Sequence, residues 1–143
     1  MVSIFIVIFV LVKIYKIMTQ ENKELLLKDL CARLPYGIKV RCDFGLDGEI
    51  TEISRTKNNL YYCKYLDCKE GYCYIESLKP YLFPLLSMTE EQKKEQEAHF
   101  TCIKHDMSFS ICRYMEWCYK NHLDINGLLS KGLAIDATGL NIY

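Results

Sequence analysis

Charge imbalance of either sign is what this chain lacks. Lys plus Arg and Asp plus Glu number 18 each over 143 residues, so no overall field draws it to nucleic acid or to an anionic membrane. Lys13 and Lys16 belong to an N-terminal apolar run that holds no acid, so from Met18 onward acids outnumber bases 18 to 16. The chain also has no phosphate-cradling glycine loop, no glycine-flanked nucleophile turn and no clustered pair of acids. These absences weigh against an enzyme, and no cofactor is expected. The length suits one domain with its own core.

Only three prolines are present, and hydrophobic residues make up 50% of the chain, so the core does not need disulfide staples. Eight cysteines could otherwise suggest a secreted scaffold. Most of them (Cys31, Cys42, Cys63, Cys102, Cys112 and Cys118) fall in apolar periodic segments, where a thiol packs as a small hydrophobe. Reduced thiols in a reducing, cytoplasmic compartment are therefore expected.

Residues 1–17 form an apolar run ending Lys13-Ile14-Tyr15-Lys16-Ile17. As a helix it would cover only ~25 Å of a hydrocarbon core ~30 Å thick. No basic residue precedes the run and no small-residue cleavage site follows it, so a signal peptide fits poorly. The favoured expectation is translation from Met18, with residues 18–143 as one domain. The alternative is a short membrane anchor with Lys13 and Lys16 holding the domain in the cytoplasm.

From Lys23 to Leu34, the spacing of Leu26, Leu27, Leu30, Cys31 and Leu34 predicts a helix, with Arg33 off its apolar face. Pro35 and Gly37 end it. Ile38, Val40, Cys42 and Phe44 alternate with polar residues and predict a strand. Asp47-Gly48 is the expected hairpin turn, and Glu49–Arg55 the return strand. There Ile50 and Ile53 fall on opposite faces, so a bulge is expected. Leu60–Leu66 and Tyr72–Glu76 complete four strands, as an antiparallel meander or a small SH3-like barrel. The sheet is thus placed at about residues 38–77. Leu78–Leu86, with Pro80 and Pro84, is expected as an extended strap over it.

The helical part is placed at about residues 89–132. Thr89 and Gln92 form a capping box opening a helix to about His105, its first half solvated. Ser110–Lys120 aligns Ile111, Met115 and Cys118 as a second apolar stripe. Asp124 can cap a last short helix through Leu128 and Leu129, closed by Gly132. The tail, Ala134–Tyr143, is suited to docking. The fold class is α+β.

Three patterns compete as sites. Cys63-x4-Cys68-x4-Cys73 is regular, but its steps are wrong for a zinc knuckle. His99, Cys102 and His105, with Cys112 as a fourth ligand, carry zinc-suited groups. Steps of three nevertheless drift by ~60° each around a helix, which favours two surface histidines flanking a packed thiol. The last short helix, with Asn126, Ser130 and Lys131, lacks an arginine to read DNA. The tyrosines Tyr61, Tyr62, Tyr65, Tyr72 and Tyr74 are the best binding candidates, because an apolar body with a polar tip suits recognition of a protein partner. Their structural alternative is cross-strand stabilisation of the sheet.

The segments Leu78-Lys79-Pro80-Tyr81-Leu82-Phe83-Pro84-Leu85, Ser87-Met88-Thr89-Glu90-Glu91 and Gly132-Leu133-Ala134-Ile135-Asp136-Ala137 resemble a family of small proteins of gut Bacteroidales and their phages. The likeness spans most of residues 18–143 and leaves out the N-terminal run. It implies a soluble bacterial or phage setting and carries over no activity and no site residue. A non-catalytic binding or accessory module is the expectation, with a zinc-stabilised domain or a membrane-anchored accessory protein as alternatives.

Overall fold

The computed structural model describes residues 18–57, 61–66 and 70–143, without the side chains at 62, 65, 66, 70 and 71. Helix α1 spans Gln20–Arg33 and is opened by Thr19, whose hydroxyl accepts from Asn22 N–H at 3.2 Å. It runs into a one-turn 3-10 helix, Leu34–Tyr36, after which Gly37 turns left-handed. Its buried stripe is Leu26, Asp29, Leu30 and Arg33, which differs from the expected apolar face. Cys31 is exposed, and Arg33, expected off that face, is wholly buried.

Residues three and four apart share a helix face, so Asp29 and Arg33 enter the interior together. They neutralise each other there. Arg33 Nε donates to Asp29 Oδ2 at 2.7 Å, and Nη2 donates to Oδ1 at 3.0 Å. Nη2 also donates to the Leu123 carbonyl at 2.8 Å, and Asn126 Nδ2 donates to Asp29 Oδ1 at 2.8 Å. Arg33 further lies over the Tyr119 ring, 5.0 Å from its centroid.

Among the described residues the sheet has six strands: β1 Lys39–Cys42, β2 Asp47–Arg55, β3 Tyr61–Leu66, β4 Glu70–Tyr74, β5 Leu78–Leu82 and β6 Ile135–Asp136. Their spatial order is β4-β3-β2-β1-β5-β6. All neighbours are antiparallel except β5 and β6. The expected four-stranded meander forms within an open sheet, whose ends, β4 and β6, do not pair with each other among the described residues.

Two local expectations are corrected. The β1–β2 turn is at residues 43–46 rather than at Asp47-Gly48. Gly45, at φ 77, supplies the left-handed residue a tight turn needs. Phe44, expected on the buried face, sits in this turn and is 87% exposed. Asp47 is drawn instead into β2, where it accepts from Arg41 Nε at 2.8 Å and from Tyr81 Oη at 2.6 Å.

The second correction concerns Leu78–Leu82, which does not strap the sheet but joins it as β5, with Pro80 opposite Val40. Pro80 cannot donate to a neighbour, and the two-residue β6 pairs only with Tyr81 and Leu82. The expected bulge does form: the β2–β3 register shifts between Ile50 and Glu52. Ile50 is thereby buried while Ile53 also packs against the core.

Helices α2, Glu90–Ile103, and α3, Met107–Lys120, form a hairpin. Thr89 and Gln92 make the full capping box. The hairpin is joined by side-chain hydrogen bonds: Trp117 Nε1 to Glu95 at 2.6 Å, Gln96 to Tyr114 Oη at 2.9 Å and Gln92 to Asn121 at 3.3 Å. Helix α2 therefore buries no residue, and α3 buries Ser110, Cys118 and Tyr119 while Ile111 stays exposed. Of the six cysteines expected to pack, Cys42, Cys63 and Cys118 do, whereas Cys31, Cys102 and Cys112 are exposed.

Helix α3 ends on a left-handed residue that is not glycine. His122 has φ 55, Leu123 N–H reaches the Cys118 carbonyl at 3.0 Å and His122 N–H reaches that of Tyr119 at 3.1 Å. This is a Schellman closure. The following segment pairs with Phe83, continuing the line of β5. Asp124 caps Leu128 and Leu129 N–H at 2.8 and 2.9 Å, and Gly132 closes the turn at φ 70. The capping residues were legible, but turns rather than a helix lie between them.

The tail then docks. Ile135 and Asp136 pair with β5, and the Tyr143 ring stacks on His122 at 3.7 Å. Tyr143 Oη accepts from Lys39 N–H at 3.1 Å and donates to the Tyr81 carbonyl at 2.9 Å. The core gathers Leu26 and Leu30 of α1, the inner face of the sheet, and Leu128 and Leu133 of the C-terminal turns. The Lys23–Glu76 ion pair ties α1 to the one-turn 3-10 helix after β4.

Two stability predictions follow from the buried polar groups. Asp29→Ala leaves the Arg33 guanidinium buried and unpaired, and should cost about 3–5 kcal/mol, whereas the double replacement Asp29→Leu with Arg33→Met should recover much of that. Denaturant midpoints of the three proteins check it. Burial, reinforced by the Arg33 charge and opposed by Glu49, lowers the His122 pKa from 6.5 to about 4. The fold thus favours neutral His122, so its contribution is complete above pH 6.5 and lost as pH falls through 4, by about 3 kcal/mol in all. Asp47 and Asp136, held below 3.8 by Arg41 and Thr138, act at lower pH. Stability measured against pH should fall over that window, and His122→Asn should flatten the fall.

Candidate binding surface on the edge strand

Strand alternation sends successive side chains of β4 to opposite faces. Cys73 packs toward the core, so Tyr72 and Tyr74 project to the other side, 61% and 55% exposed. Lys64 lies opposite Tyr72, and Tyr62 opposite Tyr74. Strand β4 ends the sheet, and among the described residues no strand covers its outer edge. Two exposed tyrosines therefore lie on the strand that ends the sheet among the described residues, where an edge is a template for pairing with another chain.

The five candidate tyrosines are divided by this geometry. Tyr61 is half-buried and packs on the core, the structural role weighed against binding. Tyr62 and Tyr65 lie on β3, opposite Ser54 and Ile50 of β2, with side chains outside the described residues. Cys68 is also outside them. Tyr72 and Tyr74 are the two whose described side chains face solvent.

The zinc candidates do not converge. His99 is half-buried against Tyr114 and Trp117, with ring centroids 5.9 and 5.5 Å apart. Cys102 is exposed rather than packed, His105 lies in the turn after α2, and Cys112 is exposed on α3. Among the described residues no three His, Cys, Asp or Glu side chains are arranged to hold a metal ion. No helix among them is long and apolar enough to cross a membrane.

A shallow cavity of about 500 Å³ is lined by Pro84, Leu85, Asp124, Gly127, Leu129 and Ala134, among others. Its acids are already engaged: both Asp124 oxygens cap backbone N–H groups, and Asp136 accepts from Thr138 N–H at 2.8 Å. Hydrogen bonding from Thr138 also holds the Asp136 carboxyl below its usual range.

Sequence reasoning missed an apolar tip on the α2–α3 hairpin. Phe100, Met107, Phe109 and Ile111 are all exposed there, Met107 by 68%. Arg113 covers one face of Phe109 at 4.4 Å. Ile111, aligned by spacing with Met115 and Cys118, is expected inward and is exposed instead. The signal that could have exposed the error is the polar stretch Glu90–Glu97 facing them in sequence, which gives α2 no apolar face for α3 to bury.

Compared with protein-family models, curated proteins and solved structures, the chain finds no match in any of the three. The surface must be judged on its own chemistry. Because Tyr72 and Tyr74 are solvent-facing, replacing both by serine should change folding stability by no more than about 1 kcal/mol. A larger loss in a urea titration would mark them as structural sheet residues.

Proposed function

We propose that this chain is a non-catalytic binding or accessory module acting on a protein partner in the cytoplasm of a bacterium, or of a bacterium carrying a phage. The observation that carries this reading is the pair Tyr72 and Tyr74, exposed on a strand that ends the sheet. An extended partner segment added along β4 would take main-chain hydrogen bonds for affinity. The tyrosine rings would supply contact area at low entropic cost.

In this reading the meander, with β5 returned against β1, works as an open-sheet platform. The near-balance of charge supports a protein ligand over nucleic acid. The engagement of Asp124 and Asp136 with backbone groups supports a module without catalytic acids.

The test is quantitative copurification from the native producer, with size measurement of the purified chain. A partner held by the wild type and weakened about tenfold or more by Tyr72→Ser with Tyr74→Ser supports the reading, since interface tyrosines commonly carry 1–2 kcal/mol or more. Equal retention by that variant would move the contact elsewhere on the fold. A chain that remains monomeric and partnerless at cellular concentration would overturn it.

A further inference from the structure

Strands β3 and β4 set Cys63 and Cys73 directly opposite one another. Facing residues of an antiparallel pair have Cα atoms ~4.5–5.5 Å apart and side chains on the same face. A disulfide needs Cα atoms ~4.4–6.8 Å apart. The shared face is the inner one: Cys63 is wholly buried and Cys73 half-buried against the core. Both stand as thiols. We propose that Cys63 and Cys73 form a reversible cross-strand disulfide, a thiol–disulfide site whose oxidant is a low-molecular-weight disulfide.

The half-buried position of Cys73 makes it the point of entry. Its thiolate attacks one sulfur of the small disulfide, the S–S bond breaks, and one small thiolate leaves and takes up a proton. Cys63 then gives up its proton and attacks the Cys73 sulfur of the mixed disulfide, releasing the second small thiol. Two protein thiols are oxidised by two electrons, and the small disulfide is reduced to two thiols.

The second step is where the site could fail. Burial, with the nearby Cys31 and Cys73 adding to it, pushes the Cys63 thiol from 9.0 up to about 12. That cuts the thiolate fraction roughly a thousandfold. An aligned intramolecular attack carries an effective concentration of about 10⁵ M or more, so positioning outweighs the protonation penalty. The buried thiol also needs no access for an external reagent, because its target is already beside it. Once closed, the bridge pins β4 to β3 between Tyr72 and Tyr74. The proposal stands on strand register and does not depend on the binding role of those tyrosines.

Equilibrating the full chain in stepped ratios of reduced and oxidised glutathione, then acid quenching, alkylation and peptide mapping, tests it. The expected product is lighter by two hydrogens, joined Cys63 to Cys73, melts several degrees higher and reverts with dithiothreitol. Cys31→Ala should keep the bridge. Cys73→Ala, at a half-buried site that should tolerate it, should abolish the bridge while circular dichroism stays unchanged. Full alkylation of Cys63 and Cys73 in the wild type at the most oxidising ratio would overturn the proposal. So would a bridge mapped instead through Cys31 or Cys68.

Discussion

The Asp29–Arg33 pair is the constraint around which the two halves of the molecule close. A guanidinium taken wholly out of water is tolerated only when its charge and most of its donors are met. Asp29 meets the charge from one turn earlier on the same helix, and the Leu123 carbonyl takes a donor from ninety residues later in the chain. That second bond is possible only because His122 adopts a left-handed conformation, which turns the chain after α3 back toward α1. Such a conformation costs a non-glycine residue about 1–2 kcal/mol, so the surrounding contacts must hold it in place. The Tyr143 ring on His122 and the Phe83 pairing on either side of it are those contacts.

Through this junction the last twenty residues become part of the sheet's support rather than an appendage. Tyr143 reaches Lys39 of β1 and the Tyr81 carbonyl of β5 with one hydroxyl. Asp124 holds the turn that delivers Leu128 and Leu133 to the core. The opposite side of the sheet has its own polar brace, where Asp47 joins Arg41 and Tyr81. Burial and the Asp47 carboxylate push the Tyr81 phenol up to about 12, so it remains a donor throughout the ordinary pH range.

The large side chains left in solvent lie away from that braced centre. The β4 edge and the hairpin tip contribute little to the core, and both carry large side chains in solvent. A fold that concentrates its stabilising polar groups at the α1–α3 junction can present tyrosines at its far sheet edge without depending on them. The inward cysteines of β3 and β4 occupy the boundary between the two regions, where the core meets the exposed strand.

Most of the element order was legible because it rests on local chemistry. Thr89 and Gln92 announce a helix start, Pro35 and Gly37 a helix end, and the out-of-phase Ile50 and Ile53 a bulge, each through bonds or sterics within a few residues. The alternation of Ile38, Val40 and Cys42 likewise identified β1, and the tyrosine-rich segment gave β3. What the amino-acid order could not reveal is which polar residues would be buried. Arg33 reads as a solvent-facing charge until the Leu123 carbonyl is brought to it and Asn126 to its partner Asp29, and Leu78–Leu82 reads as a strap until β1 offers an unpaired edge. Exposure of Tyr72 and Tyr74 was half legible: alternation says that one face of β4 looks outward, but only the packing of Cys73 says which. Local sequence determines elements because capping and periodicity act over one turn or one strand. Tertiary structure alone decides burial and neighbours, because those depend on partners far away in the chain.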